Sequence, residues 1–273
     1  MRALVLLCLA VVALPALALP PRLADTGLDA AQVLPFSPQY PLWSDGTSKR
    51  RWLYLPPGTS IDAARPDTWD FPVGTKAWKE FSFGGRRIEM RYIERVSPNT
   101  WRYATYLWNP QGTEARLAPA EGAPGSRYPI PSRADCLACH EGAAVPLLGF
   151  SALQLAPDLP KLAASGWLRN LPTQAPRIAA ATATARAALG YLHGNCGHCH
   201  NDAGPLAGVG LVLAQPAAGA GPADPVRLLQ RLQSRNPYTR MPPLGVTLPD
   251  AEGIALVERW IGRHFQIPKE EAP

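Results

Sequence analysis

Sulfur is scarce in this chain, with five cysteines and three methionines among 273 residues. Scarcity makes each position informative, because four of the cysteines fall into two copies of one pattern. These are Cys136, Cys139 and His140 in CLACH, and Cys196, Cys199 and His200 in CGHCH. An apolar run long enough to cross a bilayer is also missing. The run at the start, in MRALVLLCLAVVALPALALPP, is shorter than the roughly 20 apolar residues a spanning helix needs. Its basic Arg2, apolar middle and small-residue triplet Ala16, Leu17, Ala18 predict a secretory leader over residues 1–18, cleaved after Ala18, which removes Cys8. An uncleaved membrane anchor is the other reading of that run. No basic helix is present either, which argues against nucleic acid as a partner. SKRR, Ser48 to Arg51, reads as a solvated turn entering a strand. Disorder is excluded by a composition that is 47% hydrophobic and 18% charged.

What is present is concentrated chemistry. HGNCGHCHND, His193 to Asp202, holds three histidines and two cysteines. Outside the cytosol two nearby cysteines oxidise to a disulfide unless something else captures them. A zinc ribbon places its pairs about 15 to 20 residues apart, whereas 56 residues, 140 to 195, lie between Cys139 and Cys196 here. Zinc accounts for the cysteines but not for a histidine directly after each pair. A thioredoxin-like dithiol needs a strand-helix unit around a single pair, and neither pair has one. Covalent c-type haem accounts for all six residues: each cysteine adds to a haem vinyl group, and the following histidine becomes an iron ligand on the same turn. Two haem c groups are therefore the expected cofactors.

The first half reads as β structure. RRIEMRYIERV alternates Ile88, Met90 and Tyr92 with Glu89 and Arg91, and TWRYATYLW repeats with the same period of two. Turn signals at Ser44, Pro56, Phe71, Gly84 and Ser97 separate such runs and predict an antiparallel sandwich or barrel over residues 19–132. The six tryptophans there read as core filling, and Asp45 and Lys49 as turn residues. Residues 133–173 read as a first haem segment, with AAVPLLGFSALQLAPDLP as a haem-covering loop and a short helix. Helical patterns follow in APRIAAATATARAALGYLHGN, DPVRLLQRLQSR and PDAEGIALVERWIGRHF, the last placing Gly253, Leu256 and Trp260 beside Ile254, Val257 and Ile261. The fold expected is thus α+β, with an all-α unit over residues 174–268.

A helix, CxxCH, a Gly-Pro loop, a short helix, RMPPLG and a closing helix with a tryptophan together resemble a class I cytochrome c domain, over about residues 174 to 265. The resemblance implies Met241 as the distal iron ligand opposite His200, the Pro205 carbonyl as the group that orients His200, and Arg240 near a haem propionate. With YPLWSDG, WDFPVGTKAWKEF and IPSRADCLACH ahead of that domain, the whole chain also resembles a family of exported proteins with two c-type haem motifs. That family carries no assigned activity.

The first motif has no Met-Pro-Pro loop of its own. Its sixth ligand is sought among His193, His198, His264, Met90 and solvent, with His193 favoured because it ends the helix before the second motif. His198 is expected to point outward and Met90 to lie in the sheet core. Two functions stay open. One is a periplasmic electron carrier. The other is a haem enzyme with an open first site acting on a small substrate. The formal charge of +6 becomes +5 without Arg2 and +3 once each ferric haem contributes −1, which favours a partner with an acidic docking face.

Overall fold

The computed structural model describes residues 18–66, 68–123, 128–215 and 221–264. The leader expected over residues 1–18 therefore lies outside the described residues, apart from Ala18. No helix among the described residues is long and apolar enough to cross a membrane.

The molecule is α+β. Strands β1 (Leu34–Pro35), β2 (Ser48–Tyr54), β4 (Lys76–Phe83), β5 (Arg86–Ser97), β6 (Thr100–Trp108) and β7 (Ala115–Leu117) form one antiparallel sheet in the order β1-β2-β4-β5-β6-β7. The short β3 (Ile61–Asp62) pairs in parallel with the distant β8 (Leu168–Arg169). The two period-two runs lie on β5 and β6, joined by a tight turn at residues 98–99. No closed barrel forms among the described residues: the sheet stays a single open layer with apolar side chains on both faces.

Alternation decides which face each side chain takes. Trp78, Met90, Tyr92, Ala104 and Tyr106 pack with Leu23 and Val33 on one side. Leu53, Ala77, Ile93 and Tyr103 face the other, where Phe150, Leu155, Leu159 and Leu162 cover them. The passage after the first motif is thus not a separate segment. Its prolines interrupt any long helix, leaving only α2 (Leu159–Ala164), and its apolar residues become the second wall of the sheet's own core.

The first CxxCH lies on α1 (Arg133–His140), which starts with a reciprocal capping box. Ser132 accepts from the Asp135 amide, while the Asp135 carboxylate accepts from the Ser132 amide. The C-terminal unit is built from α3 (Ala183–Cys196), α4 (Pro225–Gln233) and α5 (Ala251–His264). Leu189 and Leu192 of α3, Leu228 and Leu232 of α4, and Val257, Trp260 and Ile261 of α5 form its core. The helix expected from Ala175 starts only at Ala183, because Thr182 is extended and its side chain caps the Ala185 amide.

A strap from the N-terminal half, residues 40–47, locks onto the C-terminal unit. The Trp43 amide donates to Asn195 Oδ1 (2.7 Å) and the Trp43 indole to the Leu248 carbonyl (3.0 Å). Asp45 is buried, at φ +51°, and accepts from the Thr247 and Leu248 amides and the Thr247 hydroxyl. The ring of Tyr40 lies over Gly190 of α3. Asp45 is therefore not a free turn residue: its carboxylate ties the two halves together.

Candidate functional site

The sheet, α1 and the end of α3 enclose a cavity of about 660 Å³, inside the roughly 300–1,000 Å³ span of cofactor and ligand pockets. Cys136, Cys139 and His140 of α1 line it, with Ala77, Ile93 and Tyr103 of the sheet, Leu147 of the covering passage, and His193 and His198 from the second motif's side.

His140 is arranged as a metal-ligating histidine would be. Its Nδ1 lies 2.5 Å from the Pro146 carbonyl, and a carbonyl can only accept, so Nδ1 carries the proton. Nε2 is left with its lone pair. A backbone carbonyl behind the ring is the usual means of fixing the tautomer and orientation of a ligating imidazole. Tyr103 packs against the ring at a centroid distance of 5.3 Å. Burial, with Lys79, Arg91 and His198 nearby, pushes the His140 pKa down to about 4, while Pro146 opposes the shift. The ring is neutral at ordinary pH, the form a metal requires.

The two motifs meet. Cys139, His198 and Cys199 bring their ligand atoms within 4.8 Å of one another. The Cys139 thiol donates to Cys199, which with burial pushes Cys139 up to about 12, while the same bond lowers Cys199 against the effect of its burial. Cys196, in the helical core, is pushed up to about 12 by burial. Asn201 fastens the junction, its side-chain amide donating to the carbonyls of Gly142 (2.9 Å), Gly197 and His198. His198, expected to point outward, faces the cavity and the first motif instead, because α1 packs over the turn that carries it.

His193 lines the same cavity as His140. Its Nδ1 accepts from the Gln215 amide at 3.1 Å, so the neutral ring holds its proton on Nε2 and offers no lone pair there. Met90 is buried in the sheet core on the opposite face, and the side chain of His264 lies outside the described residues.

The second motif is less open. Nδ1 of His200 is buried with no hydrogen-bond partner, and the carbonyl acting on this ring is that of Leu211 rather than Pro205. Pro205 packs instead toward Gly142, at the junction between the motifs. Met241 and Arg240 border a small cavity of about 20 Å³ together with Trp43, Tyr191 and Asp250. Arg240 donates to the Thr247 carbonyl at 3.4 Å. His200 lines neither cavity, so neither of them brings it together with Met241.

Reading the sequence missed the sheet's polar row. Arg51 of β2 stands opposite Lys79 of β4, which stands opposite Arg91 of β5, and all three line the large cavity. The SKRR stretch is thus strand from its first residue, with Arg51 buried inward. Its alternation, exposed Ser48 and Arg50 against inward Lys49 and Arg51, was the available signal. A scan against protein-family models and searches of curated proteins and of solved structures found no match.

Proposed function

We propose that the chain is an exported electron carrier with haem c held covalently at both CxxCH motifs. The observation that carries this reading is His140, whose Nδ1 is held by the Pro146 carbonyl and whose Nε2 is free at a cavity shared with both tethering thiols. When bound, a haem supplies a one-electron iron couple whose potential follows its ligands and its burial.

The chain's own residues divide the remaining work. Cys136 and Cys139, on one helical turn, would hold the group through their thiols, and His140 would offer it a neutral imidazole of fixed tautomer. Ala77, Ile93 and Leu147 keep water from that site, and Tyr103 braces the ring. Cys196, Cys199 and His200 would hold the second haem at the end of α3, with Met241 as the thioether that the resemblance implies, although no hydrogen bond holds His200 Nδ1 as Pro146 holds that of His140. Contact between the motifs through Asn201 and the Cys139–Cys199 pair places the two tethers side by side, an arrangement suited to passing electrons within the chain. The net positive charge favours a redox partner with an acidic docking face, and the leader-like start favours the periplasm.

A second reading rests on the Cys139, His198, Cys199 group, whose two sulfurs and one nitrogen suit a soft metal such as zinc. It excludes thioethers at Cys139 and Cys199, so one measurement separates the two. Intact mass of the chain produced in a haem-attaching host should show two haems, and Cys196→Ala/Cys199→Ala should carry one. A zinc adduct with no haem would overturn the proposal in favour of the metal site.

A further inference from the structure

We propose that Arg51 and Lys79 form a carboxylate-binding site on the sheet wall of the large cavity. Arg51 is only 8% exposed, yet no acidic side chain or carbonyl among the described residues meets its guanidinium. Lys79, opposite it in register, meets the Phe81 ring at 4.8 Å and is attracted by Glu89, whose Oε1 is held by Arg91 and Tyr128 and whose buried Oε2 has no hydrogen-bond partner. The third cation of the row is already satisfied, because Arg91 is paired with Glu89 at 2.7 Å and donates to the Tyr128 hydroxyl. Neighbouring acids are also occupied: Glu80 with Arg50, Asp135 with Ser132, Asp45 with residues 247 and 248.

A desolvated cation without a counter-charge is unfavourable in a folded chain. Burial pushes Arg51 down to about 10, still charged at neutral pH, and Lys79 well below its ordinary value, with Arg51 and Arg91 adding to the shift. An anion entering the cavity relieves both groups.

The surroundings select the class of anion. Strands β2 and β4 spend their main-chain amides on the sheet ladder, so no nest of backbone donors is available for the several oxygens of a phosphate. A guanidinium fork matches a carboxylate in bidentate fashion, and Lys79, held toward its neutral form by burial, adds a charge by taking up a proton as the anion enters. Beside them the lining joins apolar groups, Phe36, Ala77, Ile93 and Leu147, to polar ones, among them Gln154 and Tyr103, whose buried hydroxyl has no partner. The ligand is therefore a carboxylate on a body that is apolar in part. A haem propionate and a diffusible organic acid share that chemistry. The inference goes beyond the haem proposal, since the unpaired Arg51 calls for an anion with or without haem.

The test uses the full chain, matured in a haem-attaching host and also produced without haem, with benzoate as the diffusible probe and sodium chloride at equal ionic strength as control. If a propionate is the ligand, Arg51→Gln lowers the midpoint potential of one haem, Arg51→Lys restores most of it, and benzoate does nothing to the matured protein. If a diffusible acid is the ligand, benzoate raises the melting temperature saturably and Arg51→Gln or Lys79→Gln abolishes the rise. Should the chain carry no haem at all, the benzoate arm decides alone. In the haem-free chain without benzoate, Arg51→Met should raise the melting temperature by removing the unpaired charge. The proposal is overturned if Arg51→Gln changes neither a haem potential nor the benzoate response, or if Arg51→Met lowers the haem-free melting temperature.

Discussion

Two glycines one turn apart on α3 meet the same tyrosine through different atoms, and the difference can be measured. A Cβ on Gly190 would lie 2.1 Å from Tyr40 Cε1 and 2.3 Å from Cδ1, both side-chain atoms, whereas a Cβ on Gly194 would lie 2.4 Å from the Tyr40 carbonyl oxygen. In Gly190→Ala the helix gains about 1 kcal/mol in propensity against an overpacking cost of about 1–3 kcal/mol. The net loss is roughly 0–2 kcal/mol. Tyr40→Ala removes the obstructing ring at a cost of about 3 kcal/mol, the low end for aromatic truncation, since the ring is half-buried. In that background Gly190→Ala should stabilise, giving a coupling energy of about 1–3 kcal/mol. Gly194→Ala meets main chain that Tyr40→Ala leaves in place, so its cost should persist with coupling below about 0.5 kcal/mol. Urea unfolding of the two double-mutant cycles reads both values. Equal coupling at the two glycines, or none at Gly190, would refute the docking of the strap on α3.

Asp45→Asn keeps a residue type tolerant of positive φ but removes the charge behind its bonds to residues 247 and 248; it should cost roughly 1.5–3 kcal/mol and speed amide exchange at Thr247 and Leu248, and unchanged exchange there would count against the tie. Lys49 is held down to about 8 by burial with Arg51 and Arg91 nearby, so between pH 8 and its unfolded value near 10.4 the unfolded chain binds the extra proton and stability from this group rises with pH. Lys49→Met should flatten that part of the pH profile relative to the parent, and parallel profiles would show the lysine to be solvated. If the second motif holds haem as proposed, with Met241 as its thioether ligand, oxidised protein should show a weak near-infrared band that Met241→Ala abolishes while lowering one midpoint potential; an unchanged band and potential would place the distal ligand elsewhere.

Legibility tracked how local each determinant is. β5 and β6 stand where the alternation of RRIEMRYIERV and TWRYATYLW puts them, because a strand's two faces are written in its own residues. α4 and α5 were visible for the same reason at helical period. Residues 143–160 read as a haem-covering loop with a short helix, since prolines break the period. Their partners Leu53, Ala77 and Ile93 lie far upstream, and only the fold joins them. α1 was readable in principle from Ser132 and Asp135, the spacing of a capping box, though its apolar content is low. Within the site, the two motifs were legible as patterns. That Cys139 meets Cys199, that His198 turns inward, and that Arg51 faces a cavity are consequences of tertiary packing which spacing along the chain does not encode.

The strap also bears on how the chain assembles. Its bonds to Asn195 and to residues 247 and 248 join residues 152 to 205 positions apart, so they close the longest loops that hydrogen bonds close among the described residues and belong among the last contacts to form on folding. The strap leaves the ribosome well before α3 and the loop at 246–248 exist to receive it. Until then Tyr40 and Trp43 wait as an exposed aromatic arm, while the helical unit, once made, lacks the ring that fills its surface over Gly190. Each half therefore carries the complement of the other. A chain severed in the covering passage should behave as two polypeptides that recognise one another in trans, and either half made alone should present a sticky surface.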